Sequence, residues 1–176
     1  MRSGEVLNAY RHAPERTIAV YSFSKTYSMT GFRVGVAIVP EALRETFSML
    51  MLGAVSSVAQ QAGLRVLETD ADTSPMLAHY RDRQAMATTA LAAHGLESWE
   101  VAGTFYRLIA LPESAGDAMD FAVTLVDAGV ATVPGPAFGE LRGYGTRYLR
   151  LSLTRPDAEI ERAIGIIARA AGTTAP

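Results

Sequence analysis

Residues 22–35 read S-F-S-K-T-Y-S-M-T-G-F-R-V-G and carry the only lysine of the chain, Lys25. The residues just ahead, 17–24, read TIAVYSFS. Ile18 and Val20 fall on one face of an extended strand, and Ala19, Tyr21 and Phe23 on the other. A strand apolar on both faces has the pattern of a covered, parallel-type strand rather than a half-wet antiparallel one. Lys25 follows it directly, at the carboxyl end, where open α/β sheets place their ligands. A second run of the same kind, residues 33–39, comes after the turn. Two such strands cannot cover themselves, so they call for partner strands from outside this stretch.

Composition makes the lysine stand out. The 176 residues hold 15 arginines against that single lysine, and 29 alanines. Arginine can replace lysine wherever only charge matters. An amine that must lose its proton and attack a carbonyl has to be lysine, because guanidinium stays protonated. The chain is half apolar (49%) with 19% charged residues, an ordinary globular balance that excludes a disordered tail. A net charge of −2 provides neither a basic footprint for nucleic acid nor a polybasic membrane patch. With no cysteine there is no disulfide, thiolate nucleophile or cysteine-ligated zinc. His12, His79 and His94 lack metal-ligand spacing. Residues 46–64 form the longest uncharged stretch, but its serines, glutamines and Gly53 fit a buried helix pair better than a membrane span. The N-terminus shows no apolar signal region, so the expected location is the cytoplasm.

Along the chain, residues 1–16 are polar and unpatterned. Pro40 and Glu41 open a helical region that runs to Leu67 with a break near Gly53. Ser74 and Pro75 restart a helix as N-cap and first residue, with Leu77, Tyr80, Ala87 and Leu91 at helical spacing up to Gly95. Beyond it the pattern becomes mixed. Strands are expected at 105–111, 130–133 and 148–153, a helix at 117–128, and a final amphipathic helix from Asp157 using Ile160, Ile164 and Ile167. The organisation is therefore α/β, in two parts. Residues 1–74 form a partial sheet-bearing domain around Lys25, and residues 75–176 a smaller α+β domain with its own core.

Around Lys25 the residue types converge on one chemistry. Ser22 and Ser24 offer hydroxyls, Gly31 and Gly35 permit close backbone approach, and Arg33 offers a planar cationic fork. Together they suit a phosphate ester. Taken singly, the serines also suit an ordinary turn, and Arg33 a surface ion pair. Arg150 lies between Leu149 and Leu151, with Leu153 on the same face as the leucines, so it points away from their core. Solvent or a cleft lies there, and its fork suits a carboxylate.

The stretch closely resembles the lysine signature of class I/II aminotransferases, pyridoxal-phosphate enzymes of fold type I. The signature has Ser three before the lysine, then Gly, Arg and Gly six, eight and ten after it. Further markers follow in the family's order: Y-R-D-R at 80–83, G-T-F-Y at 103–106, V-P-G-P-A-F-G at 133–139 and Y-L-R-L-S at 148–152. The resemblance runs from about Arg16 onward. It implies the C-terminal part of the fold type I aminotransferase fold: a remnant of the large α/β/α domain, then the small α+β domain. It also implies that Lys25 holds pyridoxal 5'-phosphate as a Schiff base and moves the proton at the substrate α-carbon. Ser22 and Arg33 match positions that bind the cofactor phosphate, with Ser24 a second candidate, and Arg150 matches the arginine that clamps the substrate α-carboxylate. The substrates implied are an amino acid and a 2-oxo acid, the assembly a homodimer, with no nucleic acid, membrane or metal partner.

Two departures from the family pattern stand out. Val101 occupies the neighbourhood of a usual proline, and Pro136 replaces a small polar residue. The family also supplies, far upstream of the lysine, half the phosphate cup, a stacking aromatic and the Asp that keeps the ring nitrogen protonated. The 24 residues before Lys25 leave no room for them, and Glu5 does not suit that Asp's role. The 176 residues are thus expected to be inactive by themselves. Alternatives are a lyase, decarboxylase or synthase of the same fold, and a non-catalytic aminotransferase-like domain.

Overall fold

The computed structural model describes residues 9–51, 53–99, 101, 103–139 and 145–173. The polar lead of residues 1–8, with Glu5, lies outside them. The chain divides into two compact units, Met1–Ser74 and Pro75–Pro176.

In the first unit, helix α1 (Ala9–His12) and a 3-10 turn at Pro14–Arg16 lead into strand β1 (Ala19–Ser22). The stretch read as unpatterned therefore ends in short helical turns. Strand β1 is followed at once by the one-turn helix α2 (Phe23–Thr26), a 3-10 turn at Thr30–Phe32, and strand β2 (Gly35–Ile38). β1 and β2 pair antiparallel, from Ala19 opposite Ile38 to Ser22 opposite Gly35. The two strands therefore run antiparallel to each other, not as the parallel-type pair their pattern suggested. Apolar residues on both faces report how many faces need cover, whereas direction is set by the connection, which turns the chain straight back. Both faces of the ribbon are open among the described residues, with Val20 at 75% exposure.

Helices α3 (Arg44–Leu50) and α4 (Ser57–Glu68) follow, with the expected break between them. Phe23, Met29 and Ala59 are this unit's buried apolar residues among those described, and Gly63 of α4 lies against the Phe23 ring. A Cβ at Gly63 would sit 2.8 Å from Phe23 Cε2. The residue two before Lys25 is thus anchored by a helix that meets it through a glycine.

The second unit begins with α5 (Ser74–Ala93), whose first residue lies at the boundary. Ser74 opens the helix rather than capping it. Its backbone N–H is taken by Asp72 Oδ1 at 2.8 Å, which together with the Ser74 hydroxyl holds the Asp72 carboxyl below its ordinary range. Next come β3 (Tyr106–Ala110), α6 (Ala118–Asp127), β4 (Val133–Pro134), β5 (Tyr148–Ser152) and α7 (Asp157–Ala171). The sheet is antiparallel in the order β3-β5-β4, which makes β5 its middle strand.

Strand β4 is shorter than the pattern suggested. The Val130 N–H bonds to the Leu125 carbonyl at 2.9 Å and the Gly129 N–H to that of Val126 at 2.9 Å, the double bond of a Schellman ending. Val130 therefore closes α6 and joins the core instead of starting the strand. Ile160, Ile164 and Ile167 of α7 are fully buried, each worth about 1.5–3 kcal/mol over an exposed position. They pack in one cluster with Leu91, Ile109 and Leu149. Among the described residues no helix is long and apolar enough to cross a membrane.

Candidate active site

The turn after β1 links Ser22 to Arg33 by hydrogen bonds that run through Ser24 and Thr30, with Lys25 in the helix between them. Ser22 ends the strand and caps α2, its Oγ accepting the Ser24 N–H at 3.2 Å. The Ser24 carbonyl accepts the Thr30 hydroxyl at 3.0 Å, and the Thr30 carbonyl accepts Arg33 Nη1 at 3.0 Å. Lys25 stands in the middle of α2, exposed, with Phe23 buried below it and edge-on to Tyr27 at 5.4 Å. Arg33 meets a carbonyl rather than the surface acid that an ordinary turn suggested.

Two non-glycine residues in this segment, Ser28 (φ 55°) and Arg33 (φ 53°), hold left-handed backbone. That conformation costs roughly 1–2 kcal/mol for an L-residue. Gly35 contributes differently: a Cβ there would lie 2.6 Å from the Tyr21 carbonyl oxygen, so the close pairing of β1 and β2 requires its absence. Gly31 has open space around its Cβ position and no such constraint. Arg33→Gly separates strain from function. We expect it to relieve up to about 1 kcal/mol of backbone strain and, on the expectation that Arg33 holds the cofactor phosphate, to weaken pyridoxal phosphate binding by roughly tenfold or more, the loss of a charge-assisted hydrogen bond. A thermal melt and a spectrophotometric titration of the cofactor read the two effects separately. Unchanged cofactor affinity would remove Arg33 from the site.

The donor set fits a phosphorylated aldehyde. Lys25 is the amine, Ser22 has a hydroxyl proton not used in capping, and Arg33 is the cation. Thr30 was not singled out from the sequence. Its place within the motif was the only signal, because its bridging bond depends on how the turn folds.

Arg150 belongs to the second unit. β5 alternates strictly: Leu149 and Leu151 are buried, as is Leu153 just past the strand, while Tyr148, Arg150 and Ser152 lie on the other face. Arg150 pairs with Leu108 on one side and Val133 on the other. Its guanidinium carbon lies 4.0 Å from the centre of the Tyr106 ring and 4.9 Å from that of Phe138. Among the described residues its N–H groups meet no hydrogen-bond acceptor. Phe138 comes from the 3-10 turn Gly135–Phe138, where Pro136 is accommodated because a first-turn residue needs no N–H.

The remaining motif residues hold this frame. Arg83 of Y-R-D-R bonds to Asp157 Oδ1 at 2.9 Å and to the Leu153 carbonyl at 2.8 Å, tying α5 to the start of α7. Gln84 Nε2 donates to the carbonyls of Thr104 and Tyr106, both at 3.0 Å. The Gln84 Oε1 accepts Arg107 Nη1 at 3.2 Å, and Ser98 Oγ accepts Arg107 Nε and Nη2. Arg107 is 3% exposed on the leucine face. No sequence pattern marked it, since an arginine alternating into a core position reads as a surface residue.

Known proteins agree on the class. The model of the family "Aminotransferase class I and II" matches residues 4–167. The LL-diaminopimelate aminotransferase of Aquifex aeolicus is 35% identical over 156 residues, covering 86% of this chain and 39% of that protein. The aspartate/prephenate aminotransferase of Thermus thermophilus is 31% identical over 177 residues, covering 96% of this chain and 44% of that one. Among solved structures, the Thermus thermophilus aspartate aminotransferase with maleate superposes with a TM-score of 0.81 at 30% identity, over 95% of this chain and 44% of that one. The aspartate aminotransferase of Thermotoga maritima gives 0.77 at 30%, over 88% and 40%. The chain belongs to the class I and II aminotransferase family, and its fold is part of the fold type I architecture of those enzymes. It spans about two fifths of the length of the curated relatives it matches.

Proposed function

We propose that this chain carries the cofactor-lysine part of a pyridoxal-phosphate-dependent aminotransferase that moves an amino group between an amino acid and a 2-oxo acid. The observation that supports this reading is the hydrogen-bonded turn that links Ser22 to Arg33 through Ser24 and Thr30, with Lys25 on the short helix within it. Bound there, pyridoxal phosphate would supply an electron sink for the electrons left on the substrate α-carbon when its proton departs.

The protein's own residues would then divide the work. Lys25 Nζ would be the amine that holds the cofactor and would carry a proton from and to the substrate α-carbon. Ser22 donates its hydroxyl proton to a phosphate oxygen, since its oxygen is already engaged by the Ser24 N–H. Arg33 adds the positive charge that a phosphate dianion requires. Arg150 takes the α-carboxylate of the substrate by its fork. Assembly as a homodimer belongs to the same reading.

The 176 residues alone are proposed to turn over slowly. The groups that the family brings from upstream act on the same developing carbanion, and losses bearing on one transition state do not average out. The test is to add pyridoxal phosphate to the purified chain and assay amino transfer from a panel of amino acids to 2-oxoglutarate. Turnover within about tenfold of the enzyme median of roughly 10 per second would show that these residues suffice.

A further inference from the structure

Resting on the reading of Arg150 as the carboxylate clamp, we infer that Tyr106 and Phe138 are its positioning residues: their rings hold the guanidinium and leave its edge to the substrate. A guanidinium is a flat cation whose five N–H bonds lie in its plane. An aromatic quadrupole attracts the face of such a cation, whereas a carboxylate takes two parallel N–H bonds at its edge. The two partners therefore do not compete for the same part of Arg150. A hydrogen-bond acceptor on the protein would compete, and among the described residues Arg150 meets none.

Other arginines of this unit are held in the opposite way. Arg107 donates Nε, Nη1 and Nη2 to Ser98 and Gln84. Arg83, Arg147 and Arg155 donate to carboxylates, and Arg83 and Arg147 to backbone carbonyls as well. Arg150 has rings at 4.0 and 4.9 Å in place of acceptors.

The strand order explains how the rings reach it. β5 is the middle strand, so Tyr106 arrives from β3 on one side and Phe138 from the turn after β4 on the other. Tyr106 lies on the same face as Leu108, diagonal to Arg150 across the ladder. Its backbone carbonyl is fixed by Gln84. Arginine loses rotamer freedom when it binds a ligand, and stacking removes part of that loss beforehand. The rings thereby raise carboxylate affinity without touching the carboxylate.

The test uses the whole 176-residue chain labelled with nitrogen-15 in arginine. The Nε–H resonance of Arg150, assigned by its disappearance in Arg150→Lys, is followed while 2-oxoglutarate is added. In the unaltered chain, in Tyr106→Phe and in Phe138→Tyr, the resonance should be displaced by ring currents and should respond to the ligand with the same affinity. In Tyr106→Leu and Phe138→Leu the displacement should fall, and 2-oxoglutarate should bind about fivefold more weakly, as expected for losing one partly exposed cation–π contact. Phe138 is 56% exposed in a turn, which makes its leucine variant safe for folding. Leucine variants of unchanged affinity overturn the proposal alone, as does a Tyr106→Phe variant as weak as Tyr106→Leu. An Arg150 resonance that ignores 2-oxoglutarate in the unaltered chain overturns the carboxylate reading and this proposal with it.

Discussion

Treatment with pyridoxal phosphate and then borohydride is expected to leave the cofactor fixed on Lys25 as a stable secondary amine. Lys25→Arg should abolish the label entirely. Arginine keeps the positive charge at this position, so the substitution leaves the electrostatics of the turn in place and removes only the capacity to lose a proton and attack a carbonyl. The chain is well suited to the measurement. It has one lysine, so the only other amine is the one at the N-terminus, and peptide mass spectrometry separates the two. Lys25 is an exposed residue on a helix whose Phe23 is buried against Gly63, which holds its backbone. Label found at the N-terminal amine and not at Lys25 would sink the assignment. In any longer product that carries this chain and turns over, Lys25→Arg should cost on the order of 10²–10⁴ in rate from lost proton transfer alone.

Arg150→Ala is expected to weaken 2-oxoglutarate binding by about 2 kcal/mol, roughly thirtyfold, while leaving the label on Lys25 unchanged. Truncating one partner of a fully buried charge pair costs about 2–5 kcal/mol, and the half-exposed position of Arg150 places the expectation at the low end. Folding should survive, because Leu149, Leu151 and Leu153 remain on the other face and keep the sheet on its helices. Arg150→Lys should recover the charge and lose the bidentate edge, giving an intermediate affinity. Calorimetry with 2-oxoglutarate measures the first effect and mass spectrometry the second. Loss of the label with substrate affinity intact would mean that Arg150 serves the cofactor.

Local patterns determined much of this protein. The alternation at 148–153 places Arg150 opposite three leucines, and the structure has the same alternation, because a strand's period of two needs no tertiary information. The spacing of Ile160, Ile164 and Ile167 likewise yields the buried stripe of α7. The lysine motif was legible as a spacing of residue types, whereas the hydrogen bonds that link Ser22 to Arg33 through Ser24 and Thr30 depend on how the turn folds. Tertiary structure decided what depends on partners far along the chain. The direction of β1 against β2 follows from the turn between them, and an apolar pattern counts faces without stating direction. Val130 went to the closing bonds of α6 because two backbone acceptors left by that helix had to be satisfied. The rings around Arg150 come from residues 106 and 138, which meet only because β5 runs between β3 and β4. Strand order of that kind is set by packing of the whole unit, and no window of sequence contains it.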